Sequence, residues 1–490
     1  MKRNRIHKIT IGRGPRVARA RRADTVRAHS HARRLAGLRA PATAMLAIAA
    51  VAVLPASAGA AAPWSTPVTI SSPHTGVGPL GVTSTNTSAV AWWSWQELSG
   101  TGFKFGGAFA ARPAGSDAFG VERSRDSGEP ISLDVQGYGD GRLIALSTVL
   151  GPPAVRTGQP NSPQRVLLSS GDAGGFHAPT TLARANVIGA PQLGVATNGR
   201  GLVAFATYDP KIAHRAIVSA AVRSTSGSFS RPAVISGRGE AHGVTVAIGR
   251  RGDKVVAFVR NRNVVARVRR PGHGWGPIQT LATPTGPTQW TLRAAVSDTG
   301  SIEVLWHRRF VSDRMDGAAL QARRMRPRSS RWGARTTIEA IGATTPSALV
   351  SIPGGFAVGY TVRDAVPGSA STPRVALLTA RASRRLDVAA PSVGVRDVRL
   401  AWSDLHGLLA TMLQPTQANN QGGVGLAAFL APGATSFGPI EAIAPAENLA
   451  PGFSRDGAPL AVWSAPSAAT DPGVPSEHPT RVVQTSTRNG

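Results

Sequence analysis

The chain has 490 residues, no cysteine, and 55 lysine and arginine residues against 26 aspartate and glutamate residues, which gives a formal net charge of +29. The absence of cysteine excludes disulfides, thiolate zinc sites and cysteine nucleophiles. The positive charge favours anionic partners. However, only five of the basic residues are lysines, and such an arginine bias is also typical of GC-rich bacterial coding sequence.

Residues 1–62 are predicted to be a signal peptide with an extended basic N-terminal region. Residues 2–39 hold 13 basic residues and one acid, and an uncharged stretch at 45–54 precedes small residues in the Ala-x-Ala arrangement of a cleavage site. The apolar core is about half the length of a bilayer span, so no stable membrane span is expected. Cleavage would leave residues 63–490 with a net charge of roughly +17, and we expect them to be secreted or associated with the cell wall. The pair Arg33-Arg34 leaves twin-arginine export open beside the general secretory route, and the long basic region leaves the start codon open.

An aromatic-led segment recurs about every 53 residues along the rest of the chain. The segments begin at Trp64, Phe119, Phe176, Phe229, Trp275, Trp332, a degenerate Leu386 and Phe437. A second register consists of a turn followed by a large apolar residue. It recurs at Trp92, Leu146, Phe205, Phe258, Trp306, Tyr360, Trp402 and Trp463. Both registers count eight units, and a fixed period of this size predicts a repeat fold.

Each unit contains four strand-sized apolar pieces, as in the stretch from Phe176 to Phe229. Apolar runs bounded by Gly, Asn and Ser indicate strands, and none is long enough for an amphipathic helix. Four antiparallel strands per unit predict an all-β chain, namely a β-propeller of eight four-stranded blades in a single domain over residues 63–490. A six- or seven-bladed propeller and a β-solenoid are the alternatives, although solenoid coils need only roughly 20 to 30 residues.

The two ends of the repeat region complement each other. Residues 64–70 form a lone marker strand, and residues 480–488 form a strand that no marker follows. If each marker strand is the outermost strand of the preceding blade, the N-terminal strand completes the last blade. Such pairing of the N- and C-terminal strands would close the ring and satisfy an otherwise open sheet edge.

The repeats resemble those of secreted bacterial propellers related to sialidases, many of them from high-GC Gram-positive bacteria. The likeness rests on hairpins such as DTGSIEVLW at 298–306 and RDGAPLAVW at 455–463, and on a partial Asp box at 170–176. In that family the box is structural. The chemistry that the resemblance implies needs an arginine cluster for a carboxylate, a tyrosine nucleophile with a glutamate beside it, and an acidic aspartate.

Candidate catalytic residues are few. The chain has three tyrosines, Tyr138, Tyr208 and Tyr360, and each occupies a strand or turn position where packing explains it better than nucleophilic chemistry. Glu303 and Asp134 lie in predicted strands and could act as general acid or base, but neither has a recognisable partner. The catalytic residues therefore stay unknown, and no metal or cofactor is expected.

Candidate ligand-binding residues fall in two places. Trp92, Trp93 and Trp95 form the densest aromatic cluster, and adjacent strand residues point to opposite faces, so one of the first two could stack on a sugar ring. Arg323, Arg324, Arg326 and Arg328 belong to an arginine-rich blade at 298–335 that could bind anions, although a solvated basic face is the plainer interpretation.

Two functions from different classes remain. The first is a noncatalytic extracellular binding or scaffold propeller that recognises carbohydrate, a cell-envelope polymer or protein, with an anionic glycan or cell-wall polymer as the expected partner. The second is a sialidase-like glycoside hydrolase. The missing catalytic set favours the first. We expect a monomer that binds no nucleic acid specifically.

Overall fold

The computed structural model describes residues 64–488 with internal gaps. The gaps are 100–101, 126–129, 150–162, 210–214, 226, 238, 284–287, 311–318, 341, 343–345, 364–369, 381, 390–391, 394, 417–421 and 468–479. The predicted signal peptide at 1–62 lies outside the described residues. Every regular element in the described residues is a β-strand, and the strands form eight antiparallel sheets.

The first four sheets follow one another along the chain. Blade 1 contains β2 (Gly76–Ser84), β3 (Ser88–Ser99), β4 (Gly102–Pro113) and β5 (Arg123–Arg125). Blade 2 contains β6 (Pro130–Tyr138), β7 (Arg142–Val149), β8 (Gln164–Asp172), the short β9 (Gly175–Phe176) and β10 (Thr180–Ala185). Blade 3 contains β11 (Val187–Val195), β12 (Gly201–Tyr208), β13 (Ala216–Arg223) and β14 (Ala233–Val234). Blade 4 contains β15 (Ala241–Ile248), β16 (Lys254–Arg260), β17 (Asn263–Arg269) and β18 (Gln279–Ala282).

The other four sheets repeat this order. Blade 5 contains β19 (Thr288–Val296), β20 (Ile302–Phe310), β21 (Ala319–Met325) and β22 (Trp332–Glu339). Blade 6 contains β23 (Ala348–Ile352), β24 (Gly355–Arg363), β25 (Ala370–Thr379), β26 (Ser383–Asp387) and the short β27 (Ser392–Val393). Blade 7 contains β28 (Arg396–Ser403), β29 (Gly407–Pro415), β30 (Gly423–Leu430) and β31 (Glu441–Ala446). Blade 8 contains β32 (Asn448–Phe453), β33 (Pro459–Pro466), β34 (Arg481–Thr487) and β1 (Val68–Thr69).

The sheets are the blades of an eight-bladed β-propeller. The first strands of successive blades contact one another, for instance β11 with β15 and β28 with β32, and so surround a central channel. The N-terminal strand β1 pairs with β34, with Val68 opposite Thr485 and Thr69 opposite Gln484. The predicted blade number and the closure by the two terminal strands are therefore confirmed.

Glu441 of β31, in blade 7, bonds to a residue beside each of the two terminal strands. Its carboxylate accepts a hydrogen bond from Trp64 Nε1 at 3.1 Å and from Arg488 Nη2 at 2.9 Å. The guanidinium of Arg488 also stacks over the Phe429 ring at 4.8 Å. The closure thus combines strand pairing with a charge-assisted cluster at the seam between blades 7 and 8.

Large side chains of the second strands form the core between blades. Phe258, Trp306, Tyr360 and Trp463 are fully buried. Trp306 of blade 5, for example, packs with Val255 of blade 4. Burial of one such side chain stabilises the fold by about 1.5–3 kcal/mol. The repeated turn-plus-aromatic pattern therefore marks packing positions, as the period predicted.

Two of the eight predicted hairpin markers were wrong. In blade 1 the core position belongs to Trp93, while Trp92 faces the other side of the sheet and packs against the next interblade cluster. In blade 7 the core position belongs to Met412, and Trp402 lies in the first strand instead of the second. The turn expected before Trp402 is a bulge within β28, where Asp397 has a positive φ of 56°.

Candidate functional site

One level of the central channel can be defined from strand register alone. The second strand of each blade has one residue at the buried core position described above. The channel level consists of the first-strand residues that pair with the residue immediately before this core position. The residues at this level are Gly81, Val135, Gln192, Thr245, Arg293, Ala348, Arg399 and Ala450. Two of these eight are charged, namely the arginines on blades 5 and 7.

Arg293 and Arg399 flank blade 6 and are both half-buried. Burial lowers the pKa of Arg293, and the positive charge of nearby Arg399 lowers it further. Burial also lowers the pKa of Arg399, partly offset by Asp397. Arg293 Nη1 donates to the carbonyl oxygen of Leu292 at 3.0 Å, but among the described residues neither arginine forms a salt bridge. Two half-buried like charges that form no salt bridge among the described residues favour an incoming anion.

Asp134 lies on blade 2, on the opposite side of the ring from blade 6, and directly precedes Val135 of the channel level. Gln136 Nε2 donates to Asp134 Oδ1 at 3.0 Å, and the backbone N–H of Leu193 in the next blade also bonds to this carboxylate. Burial nevertheless raises the pKa of Asp134 to about 6. The side of the ring opposite the arginine pair therefore carries a carboxylate that loses its charge in mildly acidic solution.

The tyrosines do not lie at this level. Tyr360 is fully buried, and its hydroxyl donates to Glu339 Oε2 at 3.4 Å. Arg374 Nη1 donates to the same carboxylate oxygen at 3.1 Å. Burial and the Glu339 charge raise the pKa of Tyr360 well above its usual value. This tyrosine and glutamate pair is closed off from solvent, so it acts as a packing contact at the seam between blades 5 and 6.

The other two tyrosines and Glu303 are also explained by contacts away from the channel level. Tyr138 is nearly buried, and its hydroxyl accepts a hydrogen bond from Arg223 Nη2 at 2.9 Å. Tyr208 is exposed at the end of β12. The carboxylate of Glu303 accepts a hydrogen bond from Arg324 Nε at 2.6 Å.

The predicted tryptophan cluster belongs mainly to the core. Trp93 is fully buried, and Trp95 is nearly so, stacked on His74 with 4.9 Å between ring centroids. Trp92 is half-buried and is the member that keeps accessible surface. The structure thus gives Trp92 and Trp93 opposite faces, and only Trp92 stays a candidate platform for a ligand.

The four predicted arginines do not share one face. Arg324 is paired with Glu303 and stacks over the Phe356 ring at 5.0 Å. Arg323 is its half-buried neighbour on the opposite face of β21. Arg326 and Arg328 are exposed in the turn between β21 and β22. The stretch is therefore divided between an interblade contact and a solvated turn, and its role in binding stays a prediction.

The channel arginines were not among the predicted site residues. Arg293 is the only charged residue of β19, and Arg399 shares β28 with Arg396 and Asp397, so no dense cluster of like charge points to either. Their equivalence becomes visible when blades 5 and 7 are aligned on the core residues Trp306 and Met412, each of which follows its arginine by 13 residues. In the described part of the chain no group of three His, Asp or Glu residues could hold a metal ion.

Comparison with solved structures finds proteins of low sequence identity. An ulvan lyase, a polysaccharide lyase, aligns at 12% identity and a TM-score of 0.44, over 66% of this chain and 87% of that chain. Puromycin hydrolase aligns at 13% identity and a TM-score of 0.46, over 83% of this chain and 63% of that chain. The NanB sialidase of Streptococcus pneumoniae aligns at 8% identity and a TM-score of 0.37, over 87% and 70%.

No protein-family model matches the chain, and no curated protein matches it in sequence. Within the described residues no helix has the length and apolar character that a membrane crossing requires. The function therefore has to be argued from the chain's own residues.

Proposed function

We propose that this protein is an exported, noncatalytic binding propeller that holds an anionic group of a carbohydrate or cell-envelope polymer in its central channel. The observation that carries the proposal is the pair Arg293 and Arg399, half-buried at one channel level without a carboxylate partner among the described residues. An uncompensated buried charge is unfavourable. A carboxylate, sulfate or phosphate group supplies the missing charge through charge-assisted hydrogen bonds.

The charge of the whole propeller supports this ligand class. Residues 63–490 carry roughly 17 more positive than negative charges. Such an excess raises the local concentration of anionic polymers, and a charged cleft with low-dielectric walls focuses the field. An exported protein meets acidic glycans and phosphate-bearing polymers outside the cell, so long-range attraction and the channel pair act on the same partner.

A glycoside hydrolase of the sialidase type is the second candidate, and Asp134 is the observation that favours it. A carboxyl group with a pKa of about 6 can serve as a general acid, and it lies next to the residue that blade 2 contributes to the channel level. Against this, Tyr360 is fully buried between blades and bonded to Glu339. Binding without turnover is the better supported of the two.

Titration calorimetry with short oligosaccharides of glucuronic acid tests the proposal. We expect binding that weakens as salt rises, because the contact is electrostatic. Arg293→Gln and Arg399→Gln should each weaken it about tenfold, or ~1.4 kcal/mol. Arg231→Gln, at an exposed position of blade 3, is the matched control. Unchanged affinity in the double channel variant refutes the site, whereas hydrolysis of fluorogenic sialosides that disappears in Asp134→Asn establishes the hydrolase instead.

A further inference from the structure

A large cleft opens at the seam between blades 5 and 6. Its volume is about 1040 Å³. The walls come from the hairpin turns of both blades and reach the turn after β28 of blade 7. Sites for small ligands have volumes of roughly 300–1,000 Å³, so this cleft has room for several sugar rings. It is separate from the channel level, since Arg293 and Arg399 are not among its lining residues.

The charges that line the cleft are balanced. Three arginines, Arg324, Arg326 and Arg331, face three carboxylates, Asp298, Glu303 and Asp404. Arg324 and Glu303 already neutralise each other through their hydrogen bond of 2.6 Å. Although the blade is rich in arginine, the cleft itself has no formal charge excess. A polyanion would gain from the exposed arginines but would meet exposed Asp298 and Asp404 as well.

Two half-buried tryptophans lie in the walls. Trp332 begins β22 of blade 5 and Trp402 lies in β28 of blade 7, with the turn at Pro353 and Gly354 of blade 6 also lining the cleft. The indole nitrogen of Trp332 is buried, and that of Trp402 donates to Asp404 Oδ1 at 2.9 Å. What both rings offer to a ligand is therefore their carbon surface.

We propose that this cleft binds a neutral oligosaccharide, which stacks on Trp332 and Trp402 and hydrogen-bonds the polar groups of the lining. A pyranose ring has a carbon-hydrogen face that packs on an aromatic surface and an edge of hydroxyls that both donate and accept. The lining offers both kinds of partner, with Asp298 as acceptor, Arg331 as donor, and Ser301, Thr336 and Ser351 as either. An apolar ligand would leave these groups unpaired, and a balanced cleft exerts no net charge attraction on an anion.

Titration of the purified protein with a panel of neutral hexaoses, namely cellohexaose, chitohexaose and mannohexaose, tests the site. We expect at least one to bind with an affinity that is unchanged between low and high salt. Trp332→Ala and Trp402→Ala should weaken it about tenfold or more. Trp275→Ala is the matched control, because Trp275 is the half-buried marker tryptophan of blade 4 and does not line the cleft.

Two variants at exposed positions keep the test decisive if loss of a tryptophan disturbs folding. Asp298→Asn and Arg331→Gln should each weaken the same hexaose about two- to fivefold at unchanged thermal stability. The Arg293→Gln/Arg399→Gln variant should bind it as the unaltered protein does, which separates this site from the channel. Absence of binding across the panel, wild-type affinity in the cleft variants, or loss of binding in the channel variant overturns the proposal.

Discussion

Replacement of Arg324 by glutamine should destabilise the fold strongly, although the residue lies in a stretch crowded with arginines. Arg324 Nε donates to Glu303 Oε2 at 2.6 Å, and its Nη2 donates to the carbonyl oxygen of Leu378 in blade 6 at 2.7 Å. The guanidinium also stacks over Phe356. The side chain thus pairs with Glu303 inside blade 5 and contacts blade 6 at two points, Leu378 and Phe356.

The magnitude follows from the burial of Glu303, which is only 3% exposed. Removing one partner of a buried ion pair leaves an uncompensated charge and costs about 3–5 kcal/mol. Stabilities of folded domains are of order 5–15 kcal/mol, so the variant should lose a large fraction of the total. Arg326→Gln, at an exposed position two residues away, should change the stability by less than about 0.5 kcal/mol.

The loss should depend on pH. Burial raises the pKa of Glu303 even though Arg324 acts against it. The folded state therefore holds this proton more tightly than the unfolded state, and stability falls as pH rises from the unfolded pKa of Glu through the folded one. Without Arg324 the folded pKa rises further, so the Arg324→Gln variant should be less impaired at pH 4 than at pH 8.

Urea unfolding of Arg324→Gln, Glu303→Gln and the double variant at both pH values measures these effects. The double variant should be more stable at pH 8 than Arg324→Gln alone, because no buried carboxylate is left unpaired. A loss below about 1 kcal/mol at pH 8, or a loss that is equal at both pH values, would refute the reasoning.

Three further outcomes are expected. Affinity for glucuronic acid oligosaccharides should rise a few-fold as pH falls through about 6, because protonation removes the Asp134 charge across from the arginine pair, and titration of Asp134→Asn should show no such rise. Arg326→Gln/Arg328→Gln should elute from a heparin column at lower salt than the unaltered protein without losing stability, and unchanged retention would show that this turn does not attract polyanions. Glu441→Gln should lower the free energy of unfolding by about 1–3 kcal/mol through weakened contacts to Trp64 and Arg488, whereas the exposed control Glu240→Gln should not.

The blade number could be predicted because it rests on local signals. Alternating apolar runs and turn residues set strand length and hairpin position, and each unit repeats them. The closure could also be predicted, because the strands at 64–70 and 480–488 each leave backbone hydrogen-bonding groups unpaired. Pairing of these two strands with each other satisfies those groups. No long-range information beyond the period was needed.

The wrong markers show where local signals fail. The segment 395–397 (VRD) is interpreted as a turn because of Arg396 and Asp397. In the structure these residues form a bulge inside β28, where Asp397 has a positive φ. Asp tolerates this conformation in turns and bulges alike, so composition does not separate the two. In blade 1, Trp92 and Trp93 both suit a core position, and only the register of the β2–β3 hairpin decides between them.

The candidate site was harder to predict than the fold because it depends on residues about 100 positions apart. Arg293 and Arg399 come to one level only through the hairpin register of two different blades. A search for local charge instead favours the stretch around Arg324, where arginines are adjacent in sequence but point to different faces. Strand alternation separates neighbours in sequence, while the ring brings equivalent positions of different blades together.

The arginines of this propeller therefore divide by what they contact. Those at the seams, such as Arg324, Arg374 and Arg488, are paired with carboxylates and stabilise blade packing. Because their charge is already compensated, they add little to the attraction of a ligand. Arg293 and Arg399 differ in that no carboxylate in the described part of the chain is paired with either. An excess of arginine does not itself indicate an anionic partner, whereas two half-buried guanidiniums at one level of the channel, neither in a salt bridge among the described residues, support the proposed one.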